Sequence, residues 1–218
     1  MEPFKNVFSP QLVACLADHL QRLVATFDRQ AFETAILAEL ANLEFKDRAQ
    51  LIGDHVHHAL PQDHSERARI LGDMLHPNEL GHSVAPSDEH GICGWGVQPL
   101  TMVVDQHGIE DFDRSLFVLK EMTKRSSSEF GIRYFLLEDQ DRALQIMADW
   151  VEDPNVHVRR LVSEGTRPRL PWAMRLPQLV DDPSPMLPLL KALRDDEEEY
   201  VRRSVANHMN DIAKDHPD

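Results

Sequence analysis

Two stretches of this chain repeat one another about 43 residues apart, and a repeat of that length constrains the fold more tightly than any single motif. In the first copy Ala143-Leu144 leads through Trp150 to Asp153-Pro154 and on to Val158-Arg159-Arg160. In the second, Met186-Leu187 leads through Leu193 to Asp195-Asp196 and on to Val201-Arg202-Arg203. An apolar helix, an acidic break and a second helix opening on Val-Arg-Arg is the sequence form of a helical pair. Such a pair cannot bury its apolar face alone, so it stacks on its neighbours into a solenoid with a concave wall. The chain is therefore expected to be all-α, with arginines on that wall.

The rest of the sequence is helical in pattern. Ser9-Pro10 reads as a cap followed by a proline at the first helical position, and Leu12, Val13, Leu16, Leu20, Leu23 and Phe27 continue at helical spacing. Asp28 is placed to cap a second helix through Phe32, Ile36 and Leu40. A third carries Phe45, Ile52 and Val56, and a fourth runs from near Ser65 to Leu75. From His76 to Gly96 the chain is rich in turn residues: Pro77, Gly81, Pro86, Gly91, Gly94 and Gly96. The organisation expected is an N-terminal helical cap over 1–76, a connector over 77–96 and repeats over 97–218, or else one continuous solenoid. Further helices are expected over 112–124, 128–137, 139–151, 154–165, 185–194 and 197–214. Strand-length alternation is absent.

Charge excludes less than it first suggests. A net charge of -14 argues against a nucleic-acid partner, because phosphate binding needs lysines and arginines. The acids are unevenly spread, however. Residues 1–112 hold 7 Lys+Arg against 17 Asp+Glu, whereas residues 113–180 hold 11 against 10. Between positions 159 and 175, Arg159, Arg160, Arg167, Arg169 and Arg175 face one acid, Glu164, so a local basic surface is possible on an acidic protein. Cys15 and Cys93 form no CxxC pair and suggest no disulfide framework. No run approaches the length of a membrane helix, and the first residues lack the layout of a secretion signal. The chain reads as soluble and cytoplasmic.

At 100° per residue, Val201, Val205, Met209 and Ile212 share one side of the last helix, while Arg203, Ser204, Asn207 and Asp211 gather on another. Glu129 and Arg133 lie one turn apart, which by spacing alone is most simply a solvated ion pair. Trp172, following Pro171, is by default a loop anchor. Asp211 sits near a helix C-terminus, where negative charge is unfavourable, and that tips it toward a specific role. His55, His57, His58 and His64 with Asp54 invite a metal site, but no HExxH or fixed Cys/His spacing supports one. No metal or cofactor is expected.

Taken together, Lys5-Asn6, the run from Ser128 to Arg133 (SEFGIR), the run from Val158 to Trp172 (VRRLVSEGTRPRLPW) and the run from Ser204 to Asp211 (SVANHMND) resemble the bacterial AlkC/AlkD-type DNA alkylation-repair glycosylases, the AlkC branch most closely. The resemblance spans nearly the whole chain. It implies a HEAT-like repeat fold, an α-α superhelix with a concave DNA-binding face. It also implies base excision repair of cationic alkylated bases such as 3-methyladenine and 3-methylcytosine, with 7-methylguanine a further candidate, and without flipping the base. By position, Glu129, Trp172 and Asp211 look like the family's catalytic group. Arg133, Arg159, Arg160, Arg167, Arg169, Arg175, Arg203 and Asn207 are the expected DNA contacts. The implied partner is double-stranded DNA carrying alkylated bases, bound by a nucleoid-associated bacterial monomer with no membrane role. Two alternatives stay open: a non-catalytic repeat scaffold binding DNA or protein through the same wall, and a metal-dependent hydrolase using the histidines.

Overall fold

In a computed structural model, residues 3–79 and 86–217 are described, and they contain helices and turns with no strand beyond one isolated parallel bridge between Leu75 and Ile92. The all-α, helical-repeat expectation holds. Gly81 of the turn-rich connector lies outside the described residues. No helix among the described residues is long and apolar enough to cross a membrane.

The chain divides into two compact units, Met1–Ser126 and Ser127–Asp218. The first holds α1 (Pro10–Leu23), α2 (Arg29–Leu40), α3 (Phe45–Ala59), α4 (His64–Asp73), α5 (Val97–His107) and α6 (Phe112–Thr123). Local chemistry sets the first two starts. The Ser9 hydroxyl accepts from the Leu12 amide at 3.3 Å ahead of Pro10, and Asp28 accepts from the Ala31 amide at 3.0 Å. The apolar stripe of α1, Leu12, Val13, Leu16 and Leu20, is buried, as are Ile36 of α2 and Ile52 and Val56 of α3.

The division between units falls at Ser126. The described end of the 77–96 stretch is held inside the first unit: the Ile92 amide donates to the Met74 carbonyl at 2.8 Å, and the Gly94 amide to the Arg125 carbonyl at 3.0 Å. The histidines singled out above belong to this unit. His57 stacks on His107 with ring centroids 3.6 Å apart, His58 bonds the Asp54 carbonyl and His64 meets Glu110. Among the described residues no group of three or more His, Cys, Asp or Glu is arranged to hold a metal ion.

The second unit carries both copies of the repeat. It comprises α7 (Ile132–Glu138), α8 (Gln140–Ala148), α9 (Val156–Gly165), α10 (Pro177–Asp181), α11 (Leu187–Leu193) and α12 (Glu199–Ile212). α8 with α9 is the first copy and α11 with α12 the second. α9 packs along α12, burying the equivalent valines Val158 and Val201 completely. The helices expected in this unit begin one to four residues later than their sequence pattern suggests, and two of the shifts have a visible local cause. Asp153 accepts from the Asn155 amide, closing a turn, so that Asn155 becomes the true cap of α9 by accepting from His157 at 2.9 Å. Residues 128–131 form the turn that leads into α7.

Candidate active site

Glu129 lies in that turn, half-buried. The Arg160 guanidinium on α9 donates to its Oε2 at 2.5 Å, and the Ser127 hydroxyl donates to the same oxygen. Its Oε1 has no hydrogen-bond partner among the described residues. Arg160 is the start of a chain of ion pairs. It reaches Glu164 one turn along α9 at 3.5 Å, Arg167 donates to Glu164 at 2.8 Å, and Arg167 also donates to Asp211 on α12 at 2.8 Å. Glu129 and Asp211 are thus joined through one alternating network, acid, base, acid, base, acid, which Lys214 extends past Asp211 at 2.9 Å.

The network is largely dry. Glu164 and Asp211 are 6 % and 1 % exposed, and polar groups buried to that degree need bonded partners to offset the cost of leaving water. Burial pushes the Asp211 carboxyl upward, but hydrogen bonds from Arg167 and Lys214 outweigh it and hold the group below the ordinary carboxylate range. Ser204 donates to the second oxygen of Glu164 at 2.6 Å. Arg160 also stands over the Tyr200 ring, 5.1 Å from its centroid.

Trp172 occupies the loop between α9 and α10 and stands out twice. It is 84 % exposed, and its φ of 66° is the single left-handed value outside glycine among the described residues. A bulky residue there costs on the order of 1 kcal/mol, and strain of that kind gathers at functional sites. The loop leaves the C-terminal end of α9 at Gly165, where an added Cβ would fall 2.1 Å from Ile132 Cδ1, so any larger residue there would force the Ile132 side chain to move.

The expected DNA contacts separate into two groups. Arg169, Arg175, Arg203 and Asn207 reach the surface, although Arg169 is paired with Asp215 through two 2.6 Å bonds and Arg203 with Glu199. Arg133, Arg159, Arg160 and Arg167 turn inward, where their guanidiniums meet acceptors of the protein itself. Arg159 is bound bidentately by Asp196 of the next repeat at 2.7 and 3.0 Å, and Arg160 and Arg167 belong to the network above. Arg133 is fully buried and meets backbone carbonyls; it is not paired with Glu129, although Glu129 stands one turn before it. The inward turn has a physical reason: each of these side chains emerges beside a buried stripe, where a partnered guanidinium is tolerated and an unpartnered one is not.

Sequence reasoning overlooked Glu164 as the hub. The signal was present, since it lies one turn after Arg160 and three residues before Arg167 on the edge of the Leu161 and Val162 stripe. Also missed was His208, which is fully buried, donates from Nδ1 to the Ser163 carbonyl at 2.9 Å, and is pushed down to about 4 chiefly by burial.

No family model matches the chain. A solved structure of Pseudomonas fluorescens alkylpurine DNA glycosylase AlkC, bound to DNA containing an abasic site analog, superposes with a TM-score of 0.85 at 35% identity, covering 100% of this chain and 57% of that one. The chain resembles AlkC over its whole length. A Bacillus subtilis protein named YhaZ is 37% identical over 218 residues, again 100% of this chain and 57% of that protein. The chain therefore spans a little over half the length of each of these two relatives.

Proposed function

We propose that this chain is the catalytic part of a DNA glycosylase of base excision repair. It would hydrolyse the N-glycosidic bond of cationic alkylated bases, 3-methyladenine and 3-methylcytosine foremost and 7-methylguanine in addition, acting as a monomer on double-stranded DNA without flipping the base. The observation that carries the reading is the ion-pair network that joins Glu129 to Asp211 and leaves Glu129 Oε1 without a hydrogen-bond partner among the described residues. Similarity to AlkC supports it.

The chemistry suits a fixed carboxylate. An N3- or N7-alkylated base already bears positive charge, so when the bond from C1′ to nitrogen breaks, the electron pair neutralises the base and no acid is needed. The sugar is left with oxocarbenium character, as in glycoside hydrolysis. A carboxylate about 4 Å from that centre contributes on the order of 4 kcal/mol at an effective dielectric of about 20, or roughly a thousandfold in rate. Arg160 and Ser127 hold Oε2, so Oε1 faces the reaction and accepts a proton from the attacking water as oxygen bonds to C1′. Asp211 adds a second negative group. Trp172 can lay its ring against the cationic base or sugar, worth ~0.5 to 2 kcal/mol. Phosphate contacts then rest on Arg169, Arg175, Arg203 and Asn207, which fix position without reading sequence.

Incubation with DNA methylated at ring nitrogens, in the presence of a chelator, tests the class of activity. Release of free alkylated base supports the proposal. Binding without release refutes it in favour of a scaffold, and release that appears only after metal is restored refutes it in favour of a metal-dependent hydrolase.

A further inference from the structure

Three buried arginines do the same job with no carboxylate in direct contact among the described residues. Arg48 donates to the carbonyls of Lys5, Phe8 and Leu43, and Arg67 to those of Pro61, Gln62 and His107. Each fastens loop backbone to a helix. Arg133 is the third, and it differs in what its loop carries. From the first turn of α7, its Nε donates to Met174 O at 2.7 Å, and its Nη1 donates to Gly165 O at 2.9 Å and Arg167 O at 2.7 Å. The loop that runs from Gly165 to Met174 is gripped at both ends by one planar side chain, and Trp172 is inside it.

We infer that Arg133 is a positioning residue for Trp172, setting the indole where the proposed reaction uses it; the inference rests on that reading of the site. The guanidinium is suited to the task because it directs several N–H groups in one plane at fixed angles, which an ammonium cannot do. Burial pushes Arg133 down to about 10, which still leaves it charged at neutral pH, where its bonds to carbonyls are charge-assisted. Arg167 joins the clamp to the catalytic network. Its backbone carbonyl is held by Arg133 while its side chain binds Glu164 and Asp211. Trp172, at positive φ and mostly exposed, lies inside the loop whose two ends Arg133 holds.

The test compares wild type, Arg133→Lys, Trp172→Ala and the double variant by single-turnover base release from N-methylated DNA. Affinity for DNA holding an abasic-site analogue is measured alongside, and 19F NMR is recorded on protein labelled with 5-fluorotryptophan, the Trp172 resonance being assigned by its loss in Trp172→Ala. Arg133→Lys keeps a cation but cannot reach both ends of the loop, so release should slow at least about tenfold, as expected for a misplaced reacting group, with DNA affinity changed less than about threefold. The Trp172 resonance should shift or broaden. In the double variant the lysine should add less than about threefold to the loss caused by Trp172→Ala, because the two residues act as one unit. Fully multiplicative losses would overturn the inference, since they mean that Arg133 acts independently of Trp172. A Trp172 resonance identical to wild type in Arg133→Lys would also overturn it. Should wild type release no base, the proposed function fails, while the NMR arm still decides whether Arg133 holds the loop.

Discussion

Glu164→Gln is the substitution whose cost follows most directly from the geometry. The carboxylate is almost fully buried and serves Arg167 at 2.8 Å, Ser204 at 2.6 Å and Arg160 at 3.5 Å. Glutamine keeps the shape and an acceptor for Ser204, but removes the charge that two partly buried guanidiniums share. At an effective dielectric of about 20 each of these charge pairs is worth roughly 5 kcal/mol before desolvation is counted. Much of that is offset because the neutral amide no longer suffers the burial penalty of the carboxylate, and breaking a buried ion network of this kind leaves a net loss of about 3 kcal/mol. The control is Glu199→Gln, whose partner Arg203 is 70% exposed and whose own side chain is 71% exposed; solvent screens that pair, so its loss should be small beside that of Glu164→Gln. Urea unfolding followed by fluorescence in a Trp95→Phe background reads the second unit through Trp150 and Trp172. If Glu164→Gln costs no more than Glu199→Gln, the network contributes nothing to the unit, and the argument that it fixes Glu129 and Asp211 fails with it.

Two further outcomes follow from the same unit. The buried His208 is held neutral, its folded pKa of about 4 lying below the unfolded value of about 6.5. The unfolded chain therefore binds more protons between those values, and the stability contributed by the neutral ring is complete above pH 6.5 and lost as pH falls toward 4, a loss of about 3 kcal/mol. His208→Gln should flatten that part of the stability profile of the second unit in urea titrations from pH 7 to 4, and an unchanged slope would contradict the assignment. Trp172→Gly should leave the stability of the second unit within about 1 kcal/mol of wild type, because relief of the left-handed strain offsets the flexibility of glycine, whereas truncating a packed tryptophan costs about 3 to 5 kcal/mol. Thermal unfolding measures it, and a loss in that larger range would show the indole to be a packing residue.

What the sequence made legible was what depends on near neighbours. Helix identity came from the spacing of apolar residues, and the caps Ser9 and Asp28 came from one side chain reaching an amide three residues on. The start of α9 was displaced because Asp153 and Asn155 are both good caps and the later one prevails. The turn over 128–131 was hidden because its residues continue the helical pattern. Arginine partners were the least legible, since they are decided across repeats: Arg159 with Asp196, and Arg167 with Asp211, join residues 37 and 44 positions apart. Whether such an arginine meets an acid is set by which residue of the next repeat comes within reach, and spacing along one helix does not show that. The same tertiary pairing is what ties Glu129 to Asp211, a link that no periodicity could reveal.

The most direct measurement is single-turnover release of alkylated base by Glu129→Gln, with binding to abasic-analogue DNA recorded in parallel. Loss of the carboxylate charge beside the developing sugar cation should slow release by roughly a hundredfold or more while affinity changes less than about threefold, because the side chain acts on the transition state rather than on the bound DNA. Release at the wild-type rate by a folded Glu129→Gln protein would contradict the account at its centre.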